Sequence, residues 1–379
     1  MASSLPTDPW GDFRRQMPIA ARWAYFDHAA VAPLPAPARD ALIRYARQAA
    51  DEGDTVWPAW NERLQQARRL AARLIGAQAD EVALLRSTTE GIGLVAEGYP
   101  WQSGDNVVTL ENEFPSNLYP WMNLAARGVE TRRIGVDGGR IDVDRLCAAC
   151  DARTRIVAVS WVGYASGWRS NLAELAERVH ARGALLFVDA IQGLGAFPLD
   201  VGRVPIDFLA ADGHKWLLGP EGAGVFYLRR EHLDRLRPLG VGWHSVVHAS
   251  NYDRIALELK PSAERYEGGS PNMAGFLALA ESLELLLRFG AEAIGRRILE
   301  LTDLACDRLR AAGCTIASPR EGEHRSGIVL FDFPGRDPQR LRSQLEQAGV
   351  VIRLRAGKLR ISPHAYNNPE DIDRLIAAL

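Results

Sequence analysis

Short apolar runs alternate with segments of helical period through the middle of the chain, and no other feature of the 379 residues constrains the fold as tightly. The runs are "VALLR" (82–86), "NVVTL" (106–110), "RIVAVSW" (155–161), "ALLFVDA" (184–190) and "IDFLAAD" (206–212). Helical segments such as "TTEGIGLVAEGY" (88–99) and "NLAELAERVHARG" (171–183) separate them. An earlier helix is expected from about Pro58 to Ile75, with Leu64, Ala67, Ala71 and Leu74 on one stripe. Such alternation is the signature of βαβ units, and it predicts an α/β fold with a mostly parallel sheet carrying helices on both faces.

From about Lys260 the pattern changes to long helices ("MAGFLALAESLELLLRFG", "AIGRRILELTDLACDRLRAAG"), followed by short strands and a closing helix "NPEDIDRLIAAL". This part reads as a smaller α+β domain, and the chain length itself favours two domains. The expected division is a large domain over residues 28–258 and a small one built from both chain ends, 1–27 and 259–379.

Charge narrows the partners. A formal net charge of −2 with no long Lys/Arg run argues against nucleic acid or an anionic membrane and for a small ligand. No apolar run reaches the roughly 20 residues of a membrane span, and "MASSLPTDPWGDFRRQ" lacks the apolar middle of a signal peptide, so a cytoplasmic protein is expected. Of the four cysteines, Cys147 and Cys150 have ligand spacing but no second pair nearby. Neither a metal site nor a disulfide framework is expected.

Ligands of open parallel sheets collect at the carboxyl ends of the strands. Three such ends carry chemistry here: "LLFVD" ends in Asp189, "FLAADGHK" runs into Lys215, and "VALLRSTTEG" reaches Ser87, Thr88 and Thr89 at the start of a helix. Free N–H groups and the positive end of a helix dipole make that last position a cradle for an anion. Each feature alone has an ordinary reading as a cap or a solvated charge. Together, an amine, an acid and an anion cradle meet the needs of pyridoxal 5′-phosphate (PLP): a lysine to carry it, a carboxylate for its pyridine nitrogen and a phosphate site. A hydride-transfer site would need a glycine fingerprint after the first strand, and "GVDGGRID" is neither placed nor spaced for one.

The segments "YFDHAAVAPLP", "STTEGIGLVA", "VDAIQGLGAFPLDV", "DGHKWLLGPEGAGVFY", "YEGGSPNMAG" and "KLRISPHAYNNPEDIDRL" resemble, in order and over nearly the whole chain, class V aminotransferases among the fold-type I PLP-dependent enzymes. The resemblance is to the cysteine desulfurase and isopenicillin N epimerase-like branch. It implies Lys215 as the Schiff-base lysine with His214 beside it, Asp189 at the pyridine nitrogen, Gln192 near the ring hydroxyl, and Thr88 and Thr89 at the phosphate. It also implies a homodimer with shared sites, in which Ser270 reaches the phosphate of the partner subunit. Arg360 in "KLRIS" matches the arginine that holds the substrate's carboxylate, and His28 is expected near the substrate.

Departures from the family pattern matter as much. Desulfurases stack a histidine on the ring, whereas "NEFPSN" offers Phe114, as in kynureninase-like members. Tyr164 in "SWVGYASG" stands where relatives carry an asparagine, and Asp212 stands where many carry a serine, so its carboxylate is expected to turn away from the phosphate. Trp243 in "GVGWHS" resembles a kynureninase segment that approaches the phosphate. The family's persulfide-forming cysteine precedes the carboxylate arginine, and here the interval "RLRAGKLRIS" holds no cysteine.

These readings lead to an enzyme acting on a small amino acid by transamination, β-elimination or related lyase chemistry. Epimerisation and cysteine desulfuration are the alternatives, and a PLP-binding regulatory or scaffold protein without turnover is the rival of another class.

Overall fold

A computed structural model describes residues 8–379. Residues 1–7 of the expected small domain lie outside the described residues. The centre is a seven-stranded sheet in the order Val82–Leu85, Gly224–Leu228, Phe208–Asp212, Leu185–Asp189, Thr154–Ser160, Asn106–Leu110 and Glu130–Ile134. Only Gly224–Leu228 runs against its neighbours, so the sheet is mostly parallel, as the alternation of strand and helix requires.

Except for the polar edge strand Glu130–Ile134, the strands are largely apolar on both faces because both are covered. Val157, Val159, Leu186, Val188, Leu209 and Ala211 point into one core, which they share with the helices Trp57–Ile75 and Leu172–His180. The residues between them, Ile156, Ala158, Phe187, Phe208 and Ala210, point into a second core with Ile92 and Val95 of the helix Thr88–Gly98. One consequence decides the location of chemistry. Arg86, Glu113, Tyr164, Asp189 and Asp212 all end or follow parallel strands and so meet at one edge of the sheet.

A separate four-stranded antiparallel sheet has the order Arg353–Arg355, Lys358–Ile361, Val329–Asp332 and Thr315–Ile316. Its core joins Leu301, Leu309, Phe331, Leu345 and Ile361 to Ala24 and Phe26, and Ala24–Tyr25 pairs in parallel with Val350–Val351. The two ends of the chain thus share one small core.

The division of cores differs from the expected boundary at residue 259. The helix Met273–Phe289 places Phe276, Leu279, Leu283 and Leu286 in the large core, against the helices Ala36–Asp51 and Trp57–Ile75. Phe13 and Met17, expected in the small domain, also pack there. The physical reason is composition: a helix that is apolar nearly all round must be covered on several sides, and the small sheet offers only one. Among the described residues, no helix is long and apolar enough to cross a membrane.

Candidate active site

A cleft of about 280 Å³ lies where the large sheet's carboxyl edge faces the small sheet. Lys215 follows the strand Phe208–Asp212 and reaches the floor of this cleft almost fully buried. Burial pushes its amine down to about 8, against the pull of the Asp189 carboxylate and with help from the positive charge of Arg360. Asp189 ends the neighbouring strand. Burial raises its carboxyl to about 6, while the Ile191 N–H, donated to Oδ1 at 3.1 Å, and Lys215 hold it lower than burial alone would.

Ser87, the N-cap of Thr88–Gly98, accepts from the Glu90 N–H at 3.1 Å. This cap aims the first turn of the helix, with Thr88 and Thr89, into the cleft. Thr88 Oγ1 accepts from the Asp212 N–H at 2.9 Å, and Thr89 Oγ1 donates to Ser116 Oγ at 2.8 Å. Gly91 makes the close approach possible: a Cβ there would lie 2.7 Å from Ala210 Cβ. Asp212 lines the cleft, but its Oδ1 accepts from the Gly213 N–H at 2.7 Å and its Oδ2 lies 3.0 Å from His214 Nδ1, off the line of a hydrogen bond.

Phe114 forms an exposed apolar wall, its ring centroid 5.5 Å from Lys215 Nζ, and Tyr164 meets it edge-on at 5.3 Å. Gln192 lines the opposite side and is largely committed: Nε2 donates to Ala29 O and Oε1 accepts from the Trp216 indole, each at 2.9 Å. One Nε2 hydrogen is left for the cleft.

Arg360 reaches the cleft from the small sheet and is buried. It donates to Tyr164 O at 2.7 Å and to Asp27 Oδ1 at 3.3 Å, and burial lowers its guanidinium to about 10. Its Nε is closed off from the surface and has no hydrogen-bond partner among the described residues.

Two expectations are corrected. His28 does not enter the cleft: its Nδ1 contacts Ser362 O at 2.8 Å, its Nε2 contacts the Tyr366 hydroxyl at 2.9 Å, and burial lowers its ring to about 4. With Trp216, His364 and Tyr366 it is a neutral core histidine. Trp243 lies half-exposed beside surface depressions shared with Trp57 and Tyr252, away from the cleft of its own chain, and His244 lines one of them. Ser270, expected to serve a partner, lies in a surface depression with Gly268 and Asn272 and outside this chain's cleft.

Glu113, Ser116 and Arg355 escaped the sequence reading. Glu113, the residue before Phe114, is buried, accepts from the Ser160 N–H at 2.7 Å and from the Ser160 hydroxyl, and is pushed up to about 7, chiefly by burial. Its signal was an acid between two cleft segments in "NEFPSN". All four cysteines are buried and unpaired, and none lines the cleft; Cys314 packs in the small core.

These residues fit PLP. The cleft has a flat apolar wall, an amine near neutrality, a carboxyl held by a single backbone donor, and a helix N-terminus with two hydroxyls.

Comparison with known proteins agrees with this geometry. The family model for aminotransferase class-V matches residues 24–375. A probable cysteine desulfurase of Methanothermobacter thermautotrophicus is 32% identical over 389 residues, covering 96% of each chain. A cysteine desulfurase of Escherichia coli is 30% identical, covering 94% of this chain and 92% of that one. The apo structure of cysteine desulfurase from Thermococcus onnurineus superposes with a TM-score of 0.88 at 27% identity, over 100% of this chain and 98% of that one. Sequence, sheet order and cleft all place the chain in the class V aminotransferase family.

Proposed function

We propose that the chain is a PLP-dependent enzyme that transforms a small amino acid by transamination or β-elimination. The observation that carries this reading is the buried Lys215 amine, lowered to about 8, beside Asp189 at the foot of a cleft faced by Phe114. When bound, PLP supplies an electron sink for negative charge developing at the substrate's Cα.

Each residue then has a defined task. Thr88, Thr89 and the helix N-terminus would hold the phosphate, Asp189 would serve the pyridine nitrogen, and Phe114 would cover the ring. Lys215 would carry the cofactor and would move the proton at the substrate's Cα, since an amine near 8 accepts and returns a proton at neutral pH. The Arg360 guanidinium would receive the α-carboxylate, with Asp27 and Tyr164 O fixing its plane. The amino acid binds in a homodimer, with Ser270 of one copy serving the phosphate site of the other.

A second reading, sulfur removal from cysteine, is favoured by relatives named cysteine desulfurases. With no thiol lining the cleft, sulfur released here leaves as sulfide by elimination.

The chain has three lysines, Lys215, Lys260 and Lys358, which makes the test clean. Borohydride reduction of cofactor-loaded protein and peptide mapping should find the pyridoxyl group on Lys215. A label on Lys260 or Lys358 refutes the assignment. Incubation with an amino-acid panel, with and without a keto acid, then separates transamination, elimination and desulfuration by their products.

A further inference from the structure

The interval where the family carries its cysteine is here a two-residue hairpin. Arg353–Arg355 pairs with Lys358–Ile361, with Arg353 opposite Arg360 and Arg355 opposite Lys358, and the turn is Ala356–Gly357. Both turn residues have positive φ, 48° and 73°, so even an alanine adopts the left-handed conformation that a tight hairpin demands.

Register puts Arg353, Arg355, Lys358 and Arg360 on one face of the hairpin, because alternate residues share a face. Three of these four cations have carboxylate partners. Arg353 and Arg360 share Asp27, at 2.7 and 3.3 Å, and Lys358 meets Asp332 at 3.5 Å. Arg355 has no carboxylate partner among the described residues. Its one recorded contact is a 3.0 Å donation from Nη1 to the carbonyl of Leu354, and it lines the same cleft as Arg360 and Lys215. It is diagonal to Arg360 across the two strands, a separation of roughly 7–8 Å between backbones that the two side chains can narrow.

A half-buried guanidinium left without an anion in an otherwise fully paired row is poised for a ligand anion. The phosphate cradle does not account for it. That cradle is built on the large sheet at Thr88 and Thr89, whereas Arg355 belongs to the small sheet beside the carboxylate arginine.

We propose that Arg355 is a specificity-determining residue that receives a second carboxylate, so that the substrate is a dicarboxylic amino acid. The inference rests on the reading of Arg360 as the grip for the first carboxylate. The second acid can sit on a short side chain or at the far end of a disulfide-linked amino acid pair, and chain length distinguishes the two.

Calorimetric titration of the cofactor-loaded protein with succinate, suberate and butyrate tests this without turnover. One of the two diacids should bind about 10-fold to 100-fold more tightly than butyrate, as expected for one added charge-assisted contact at a half-buried site. Preference for succinate indicates the short side chain, and preference for suberate indicates the long pair. Arg355→Ala should abolish the preference and leave butyrate binding within about two-fold, whereas Arg355→Lys should keep part of it. Equal affinities in the wild type, or a preference that survives Arg355→Ala, overturns the proposal. Butyrate affinity unchanged by Arg360→Ala overturns both this inference and the reading beneath it.

Discussion

Glu113 separates structural from chemical burial within a single side chain. It touches no cleft surface that a substrate would fill, yet it feels the charge of Asp189 and its carboxyl is raised from 4.5 to about 7, mainly by burial. A carboxyl whose folded value exceeds its unfolded one binds more protons in the folded state. Its stabilising contribution is therefore complete below about 4.5 and lost as pH rises through about 7. The ceiling is about 3 kcal/mol for a shift of this size. Glu113→Gln keeps the acceptor for the Ser160 N–H and removes the titration. In urea unfolding of the apoprotein, the stability of wild type relative to this variant should fall between pH 4.5 and 8, and a pH-independent difference would refute the assignment. Lys215, Asp189, Thr88 and Thr89 were legible as strand-end chemistry because the parallel sheet dictates where strand ends meet. His28 was not, since a histidine after a short strand reads the same whether it faces a ligand or, as here, Tyr366 in a closed aromatic core.

At the scale of elements, the helix Thr88–Gly98 is held at its place by an absent side chain. Ordinary helix propensity says that Gly91→Ala should stabilise by about 1 kcal/mol. Packing says the opposite, because the added Cβ would lie 2.7 Å from Ala210 Cβ and 3.2 Å from the Phe226 ring. Neither neighbour can step aside, one being a strand methyl and the other a buried ring, and overpacking of this kind costs about 1–3 kcal/mol. Gly91→Ala should thus lower the urea midpoint and weaken phosphate-ester binding at the displaced N-terminus; a raised midpoint would show that the helix floats free of the sheet. Helix and strand periods made this element readable, but its contact with Ala210 depends on a packing distance that no period encodes. The same limit hid two other features. Met273–Phe289 carries a pattern readable as a helix, yet which core claims it depends on the two helices it meets. Arg355 becomes conspicuous only once the register shows Arg353, Lys358 and Arg360 paired around it.

The whole molecule leaves one part of the expected site outside its own cleft. Ser270 and Trp243 both lie elsewhere on the surface, and between them runs a segment that exposes Val247, Tyr252, Ile255 and Leu257, the last two 93% and 75% exposed. Contiguous apolar exposure of this kind marks an association surface. In the proposed homodimer this segment would lie in a two-fold interface with Ser270 facing the other copy, and in such an interface every contact occurs twice. Ile255→Glu combined with Leu257→Glu places two charges at that surface and should shift sedimentation from dimer to monomer. If the proposed homodimer shares its phosphate sites, the same double variant should release PLP at least about 10-fold more readily. Ser270→Ala is the finer probe: the dimer should persist while cofactor affinity falls several-fold, the loss expected for one hydroxyl donor to a charged phosphate. A monomeric double variant that held PLP as tightly as the wild type would show that each chain's site is complete by itself, and Ser270 would then be no more than a turn residue.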